Sequence, residues 1–368
     1  MNGFDLSNGV LFLSGYPVTI RMERGHLVAE DGIADKRRTI RIPRAQRALQ
    51  RVVVHGHVGT ISFDALRWIQ DTKAAFVHID NDGTVLTTSA PVGVPDPRML
   101  RGQVFAIEGT KGLGILRSLL KAKIQGQARL LDRLNAPESI TELVEERVFL
   151  VEKAKSWEEL KDAETVAGKE YWRAWHGVPI QFRNSDKKRI PNHWNRLPKR
   201  KSALLRGNMN STHPINSILN YCYAILEAEA RLALLRVGMD PHLGLLHADY
   251  RWRPSLALDL MEPIRPIADE FVLDLLEERV FSYNDFFENR KGICRIMPPL
   301  AGELSKQSTV WGKKTRKIAE KAGAEFLKIG RNTFDEDSPY WRQKPHTGEY
   351  RITRTQAGER KRRGKRPV

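Results

Sequence analysis

Cysteine is nearly missing from this chain: Cys222 and Cys294 are the only two among 368 residues. Two thiols without C-x-x-C spacing exclude a disulfide framework and a cysteine-based zinc site, and they suit a reducing compartment. Long apolar runs are missing too. Nothing approaches the roughly 20 consecutive apolar residues that a membrane-spanning helix needs. The apolar start over residues 9–20 is interrupted by Ser14, Gly15 and Pro17, so it does not read as a signal peptide. A soluble, cytoplasmic protein with no membrane partner is the expectation. No internal repeat is evident. Acidic residues are outnumbered, with 44 Asp and Glu against 61 Lys and Arg, leaving a formal charge of +17. That surplus favours an anionic partner, nucleic acid first, although ribosome-associated and membrane-surface proteins share it.

What is present divides into two textures. Residues 1–92 read as short strands: VLFLSG, TIRMERG, HLVAEDG, RTIRIP, RVVVHGHVG, AAFVHID and TVLTTSA are rich in β-branched residues and bounded by Gly, Pro or Asp. Asn81, Asp82 and Gly83 supply a hairpin turn between the last two. One helix is expected over 62–72, with Ser62 as its cap. Pro91, Gly93, Pro95 and Pro97 punctuate a junction, so residues 93–97 read as a linker. From Arg98 to residue 335 the text is helical, with apolar stripes over 98–108, 113–134, 138–152, 156–176, 214–237 and 263–279. Gly238 is a natural stop for the fifth. The expected fold is α+β: a small N-terminal β-rich domain, then a larger all-helical domain. Residues 336–368 read as a basic, disordered tail; the last eighteen carry eight basic residues and one acid.

The chemistry-bearing residues sit in the helical half. In SWEELKDAETVAGKEYWRAW, helical steps through Trp157, Leu160, Glu164, Ala167, Tyr171 and Ala174 put Glu164 on an apolar stripe. A carboxylate there must be protonated, paired or bound to a cation, because an isolated buried charge costs several kcal/mol. Downstream, His247 follows an apolar Gly-Leu-Leu, and Asp259 and Glu262 stand three residues apart, on one face if the turn is helical up to Pro263. Each has an ordinary structural reading: a hydrogen-bonded histidine, a solvated turn, a Glu–Arg pair. Two carboxylates and an imidazole also suit Mg²⁺ or Mn²⁺, the nitrogen favouring Mn²⁺. Glu262 is expected as a ligand and Asp259 as a supporting acid that also reaches the metal. Between residues 183 and 206 stand nine Lys or Arg and one acid, with Trp194 among them. Arg183, Lys187, Lys188, Arg189, Arg196, Lys199, Arg200 and Lys201 are candidate phosphate contacts, and Trp194 a base-stacking platform. A mobile solvated loop is the equal alternative.

These segments resemble the Cas1 family, the CRISPR-associated endonuclease and integrase of the adaptation machinery. The resemblance rests on Glu164, Ala167, Tyr171 and Trp172, then Asn216, Asn220 and Tyr223, then Gly244 to His247. It continues through Ser255, Leu256, Asp259, Leu260, Glu262, Arg265 and Pro266. It is strong over residues 214–276, fair over 115–182, and confined to a pattern of strands in the first ninety; after residue 284 almost none is visible. Thr165 stands where the family usually has Gly, and Gly168 where it usually has Ala. The resemblance implies catalytic ligands Glu164, His247 and Glu262 in a prokaryotic protein that inserts short foreign DNA into a CRISPR array by 3′-hydroxyl transesterification. It further implies double-stranded DNA with 3′ ends and CRISPR repeat DNA as partners, a homodimer, and bridging by the second Cas adaptation protein, Cas2. Two other readings stay open: a transposase-type integrase of a mobile element, and a non-catalytic DNA-binding scaffold.

Overall fold

The computed structural model describes residues 6, 8–44, 48–91, 96–199, 211–247 and 253–332. Eight strands fill the N-terminal part: β1 (Val10–Leu13), β2 (Val18–Glu23), β3 (His26–Asp31), β4 (Arg38–Ile42), β5 (Arg51–His55), β6 (Gly59–Ile61), β7 (Ala75–Ile79) and β8 (Val85–Ser89). They form two four-stranded sheets, ordered β1-β5-β7-β8 and β4-β3-β2-β6. In the first, β1, β5 and β7 run parallel and β8 returns antiparallel. Helix α1 (Phe63–Asp71) provides the crossover to β7, and the Ser62 hydroxyl accepts from the Ala65 amide as its cap. The expected turn at Asn81–Gly83 joins β7 to β8, with Gly83 at φ 87°.

Side chains alternate across a strand, and in the first sheet both faces are apolar. Leu11, Leu13, Val52 and Phe76 point into a core shared with Ile20, Leu27, Ala65 and Ile69 of the second sheet and α1. Val10, Val53, Val77 and Ile79 point the other way, into the core of the helices. This explains why β5 and β7 read as near-continuous apolar runs rather than alternating ones. The sheet is a wall shared by the two halves of the protein. A buried two-pronged ion pair fastens it: the Arg51 guanidinium of β5 donates to both Glu229 oxygens at 2.7 and 2.8 Å.

The helical part contains α2 (Pro97–Ala106), α3 (Leu113–Leu131), α4 (Glu138–Lys153), α5 (Trp157–Ala174), α6 (Pro214–Val237), α7 (Ser255–Met261), α8 (Arg265–Glu278), α9 (Pro298–Ser305) and α10 (Ser308–Asn332). Helix α6 is the central post and is buried on nearly all sides, as an apolar helix must be. The neutral ring of His213 accepts from the Ile215 amide at its start, and Gly238 at φ 85° ends it. Helix α10 crosses α2 at very close range. A Cβ on Gly102 would lie 1.8 Å from the Phe326 carbonyl oxygen, and one on Gly330 would lie 1.9 Å from that of Arg98.

The expectation of an all-helical C-terminal part is wrong in one place. Strands β9 (Phe286–Glu288) and β10 (Cys294–Ile296) form an antiparallel hairpin. The Asn289 side chain accepts from the amides of Lys291 and Ile293, and Gly292 adopts φ 71°, so FFE and CRI are folded back by an Asn…Gly turn inside an otherwise helical text. The linker expected at 93–97 is described only from Asp96, which caps α2, and Pro97, its first residue. Residues 336–368, read as a tail, lie outside the described residues.

Two buried histidines give the fold a pH dependence. Burial lowers His55, packed between Phe12 and Tyr221, and His213 from 6.5 to about 4. The folded state therefore holds both rings neutral, while the unfolded chain takes up a proton on each near pH 6.5. This stability is present above pH 6.5 and is lost as pH falls toward 4, by up to about 3 kcal/mol per ring. We expect the urea midpoint to drop between pH 7 and pH 5, and His55→Phe to flatten that drop. A midpoint constant over the interval would contradict the assignment.

Candidate metal centre

Four elements converge on one buried cluster. Glu164 projects from α5, Lys123 from α3, Glu262 from the short 3-10 turn Glu262–Ile264 that follows α7, and Arg265 from the first turn of α8. The Lys123 ammonium lies 2.5 Å from Glu164 Oε1 and 2.6 Å from Glu262 Oε2. Arg265 donates to the other Glu262 oxygen at 2.8 Å. Glu262 is 2% exposed, so its charge has to be matched inside the protein. Burial pushes its carboxyl upward, but Arg265, Lys123 and His247 outweigh that and hold it at about 2. Lys123 is drawn down by burial and more strongly upward by the two glutamates, so the ammonium stays charged. The backbone at Glu262 is helical despite Pro263.

A second shell of contacts holds this one. The Arg265 guanidinium lies over the Tyr223 ring, 4.7 Å from its centre. The Tyr223 and Tyr171 hydroxyls both donate to buried Asp269, at 2.5 and 2.9 Å. The roles of Lys123, Asp269 and the two tyrosines were not read from the sequence. A signal existed: Lys123 shares a helical face with Leu116, Leu120 and Leu130, and Asp269 one with Val272 and Leu276, each a charge on an apolar stripe.

His247 lies in the connection that follows α6. Its Nδ1 lies 2.6 Å from Asp259 Oδ1. Asp259 Oδ2 accepts from the amides of Leu245 and Leu246 at 2.6 and 3.1 Å. With the other Asp259 oxygen taken by backbone donors, Oδ1 accepts from the His247 Nδ1–H, which leaves Nε2 for another partner. Asp259, expected as a supporting acid that also reaches the metal, has both oxygens engaged with His247 and its loop. Glu164 and Glu262 meet on Lys123, and His247 is near enough to act on the Glu262 charge.

The donor set fits a divalent cation: it offers two carboxylates and one imidazole nitrogen, with Lys123 as the cation now beside Glu262 Oε2. The arrangement itself is the ammonium-bridged one. Among the described residues, no three His, Cys, Asp or Glu side chains stand in ready ligand geometry. A cation already occupies the place between the acids, and it belongs to Lys123.

The basic connection after α5 differs from expectation. Trp194 is fully buried, stacked between Phe182 and Tyr283 with ring centres 6.2 and 6.1 Å away, so it cannot receive a base. The segment through residue 199 is no free loop either. The Leu197 amide donates to the Val178 carbonyl, that of Arg183 to Phe281 and that of Phe281 to Gln181. Arg183, Lys187, Lys188, Arg189, Arg196 and Lys199 remain exposed on this folded segment, with Arg189 over the Tyr283 ring and Arg196 donating to the Gly177 carbonyl. Arg200 and Lys201 lie outside the described residues.

Comparison with known proteins adds the following. The sequence profile of the family described as CRISPR associated protein Cas1 matches residues 11–300. The CRISPR-associated endonuclease Cas1 of Korarchaeum cryptofilum is 28% identical over 284 residues, 73% of this chain and 78% of that protein. A casposase solved bound to an integration product is similar with a TM-score of 0.67 at 23% identity, covering 90% of this chain and 97% of that one. A chain of the Cas6-RT-Cas1–Cas2 complex gives 0.62 at 16% identity, over 88% of this chain and 35% of that one. At such identities the two structural likenesses establish the fold alone.

Two substitutions test the cluster. Lys123→Met takes away the cation that Glu164 and buried Glu262 share and should cost about 3 kcal/mol in urea unfolding. Gly168→Ala should add about 1 kcal/mol, because the new Cβ meets only Glu164 Oε1 at 3.6 Å, an ordinary contact. A neutral Lys123→Met would show that the ion pairs carry no stability.

Proposed function

As the chain belongs to the Cas1 family of CRISPR-associated proteins, we propose that it is a metal-dependent DNA endonuclease and integrase. It inserts short foreign DNA into a CRISPR array by 3′-hydroxyl transesterification. The observation that supports this most directly is the pair of glutamates, Glu164 and Glu262, gathered on one cation beside a histidine oriented by Asp259. Glu164, Glu262 and His247 Nε2 would hold Mg²⁺ or Mn²⁺, which polarises a scissile phosphate and stabilises charge on the leaving oxygen.

The protein's own groups prepare that chemistry. Asp259 fixes the His247 tautomer and ring direction. Arg265 keeps Glu262 ionised without occupying its second oxygen. Lys123, with Arg265, balances the two acids, and its ammonium stands where a divalent ion held by them would sit. The exposed cations Arg183, Lys187, Lys188, Arg189 and Lys199 offer contacts for DNA phosphates; Arg196 and the undescribed Arg200 and Lys201 belong to the same basic segment. An incoming 3′-hydroxyl exchanges one phosphodiester for another, whereas water in its place gives cleavage. We further propose that the protein works as a homodimer in the prokaryotic cytoplasm with a Cas2 partner, binding double-stranded DNA with 3′ ends and CRISPR repeat DNA. The Cas6-RT-Cas1–Cas2 complex and the casposase bound to its integration product lend support through a shared fold. Among the described residues no helix is long and apolar enough to cross a membrane.

The test is an integration assay with a duplex bearing free 3′-hydroxyls and a supercoiled target carrying CRISPR repeats. Joining should require the 3′-hydroxyl and vanish with chelator, while simple cutting survives 3′ blocking. Glu164→Ala and His247→Ala should abolish joining with DNA binding kept, and Asp259→Asn should reduce it by about 10- to 100-fold. Undiminished joining by Glu164→Ala would refute the proposed centre. Insertion indifferent to the repeat would point instead to a mobile-element integrase.

A further inference from the structure

A second basic concentration lies between the first sheet and helices α6 and α10. It is a cleft of ≈ 310 Å³. Arg51, Lys73, Arg236, Lys313 and Arg316 supply its cations, and Glu229 is the one acid in its lining. That acid is already spent, since both its oxygens accept from Arg51. Gly312 brings α10 close against this ion pair: a Cβ there would stand 2.2 Å from Glu229 Oε2. The remaining four cations therefore face one another around the cleft.

Arg236 shows the consequence. It is half-buried in the last turn of α6 and makes no hydrogen bond or ion pair among the described residues. Burial first, and then the neighbouring Arg51 and Arg316, lower its pKa, against weaker support from Glu229. A guanidinium drawn partly out of water among like charges is unfavourable unless an anion completes the group. Two guanidinium forks with two ammonium groups suit the tetrahedral oxygens of phosphate better than a planar carboxylate pairing with one arginine. A volume near 300 Å³ also accepts a phosphate with part of its sugar. Thr309, Lys313 and Arg316 lie beyond residues 11–300, the part matched to the family profile.

We propose that this cleft is a phosphate-binding site, separate from the carboxylate centre, completed by a phosphate group of DNA or of a free phosphorylated ligand. No metal and no residue of the carboxylate cluster is needed. The double variant Arg236→Gln/Arg316→Gln tests it, with Arg316→Gln alone, at an exposed position, as the variant whose folding is least at risk. Two arms separate the sources. In the first, the thermal midpoint of the full chain is followed as inorganic phosphate or pyrophosphate is added at ionic strength matched with chloride. The wild type should rise, and the variants should not. In the second, binding of a fluorescent duplex is measured over a salt series, where each lost phosphate contact should lower the slope of log Kd against log salt by about one. A response in the first arm alone assigns the site to a free ligand, and a response in the second assigns it to DNA. Wild-type behaviour of the variants in both arms overturns the proposal. The integrase reading is scored by joining in Glu164→Ala and this one by the two arms above, so failure of one and failure of the other are told apart.

Discussion

Compensation of the buried Glu262 and the half-buried Glu164 is the constraint around which the helical half is organised. Glu164 and Glu262 come from segments almost a hundred residues apart, and neither tolerates the interior alone. Lys123 reaches both, and Arg265 takes the remaining Glu262 oxygen. Arg265 rests on Tyr223, whose hydroxyl joins that of Tyr171 on Asp269. Helices α3, α5, α6 and α8 and the turn after α7 are thereby held by one polar chain. Such a chain has few alternative arrangements, because moving any member leaves a buried group unpaired.

The same chain accounts for why the centre suits a dication. Lys123 and Arg265 together balance the two glutamates, and Lys123 alone stands between them, so its place is the one a divalent ion would take. His247 is held apart from that exchange. Its orientation comes from Asp259 and the Leu245 and Leu246 amides, so the loop that carries it is fixed by its own hydrogen bonds. The β-sheet wall contributes at a distance: the Arg51–Glu229 pair and the apolar second face of the sheet hold α6, and α6 holds Tyr223 and launches the His247 loop.

Positive charge is not spread evenly over the described surface. One group lies on the folded segment after α5, ordered by packing of Trp194, Phe182, Phe281 and Phe286 rather than by a ligand. Another surrounds the cleft beside α10. A formal charge of +17 thus resolves into separate positions whose neighbours differ. Trp194 is instructive: a tryptophan among arginines and lysines resembles a base-stacking platform in one dimension, yet in three it is the centre of a small aromatic core.

Periodicity in the sequence by itself determined most elements. Ser62 capped the expected helix, Gly238 ended the long one, and Glu164 stood on an apolar stripe, because local hydrogen bonding and the 3.6-residue repeat depend on near neighbours. The Asn289–Gly292 turn was equally local, but it was overlooked within a helical context. The family was legible from irregularly spaced residues between Glu164 and Pro266. What only the tertiary structure decided was pairing: that Lys123 bridges Glu164 and Glu262, that Asp259 accepts from His247 and two amides, that Trp194 is buried, and that Arg236 has no partner among the described residues. Those facts depend on which side chains from distant segments meet. A one-dimensional pattern shows that a charge faces inward, but the identity of the group opposite is set by how helices and sheets pack.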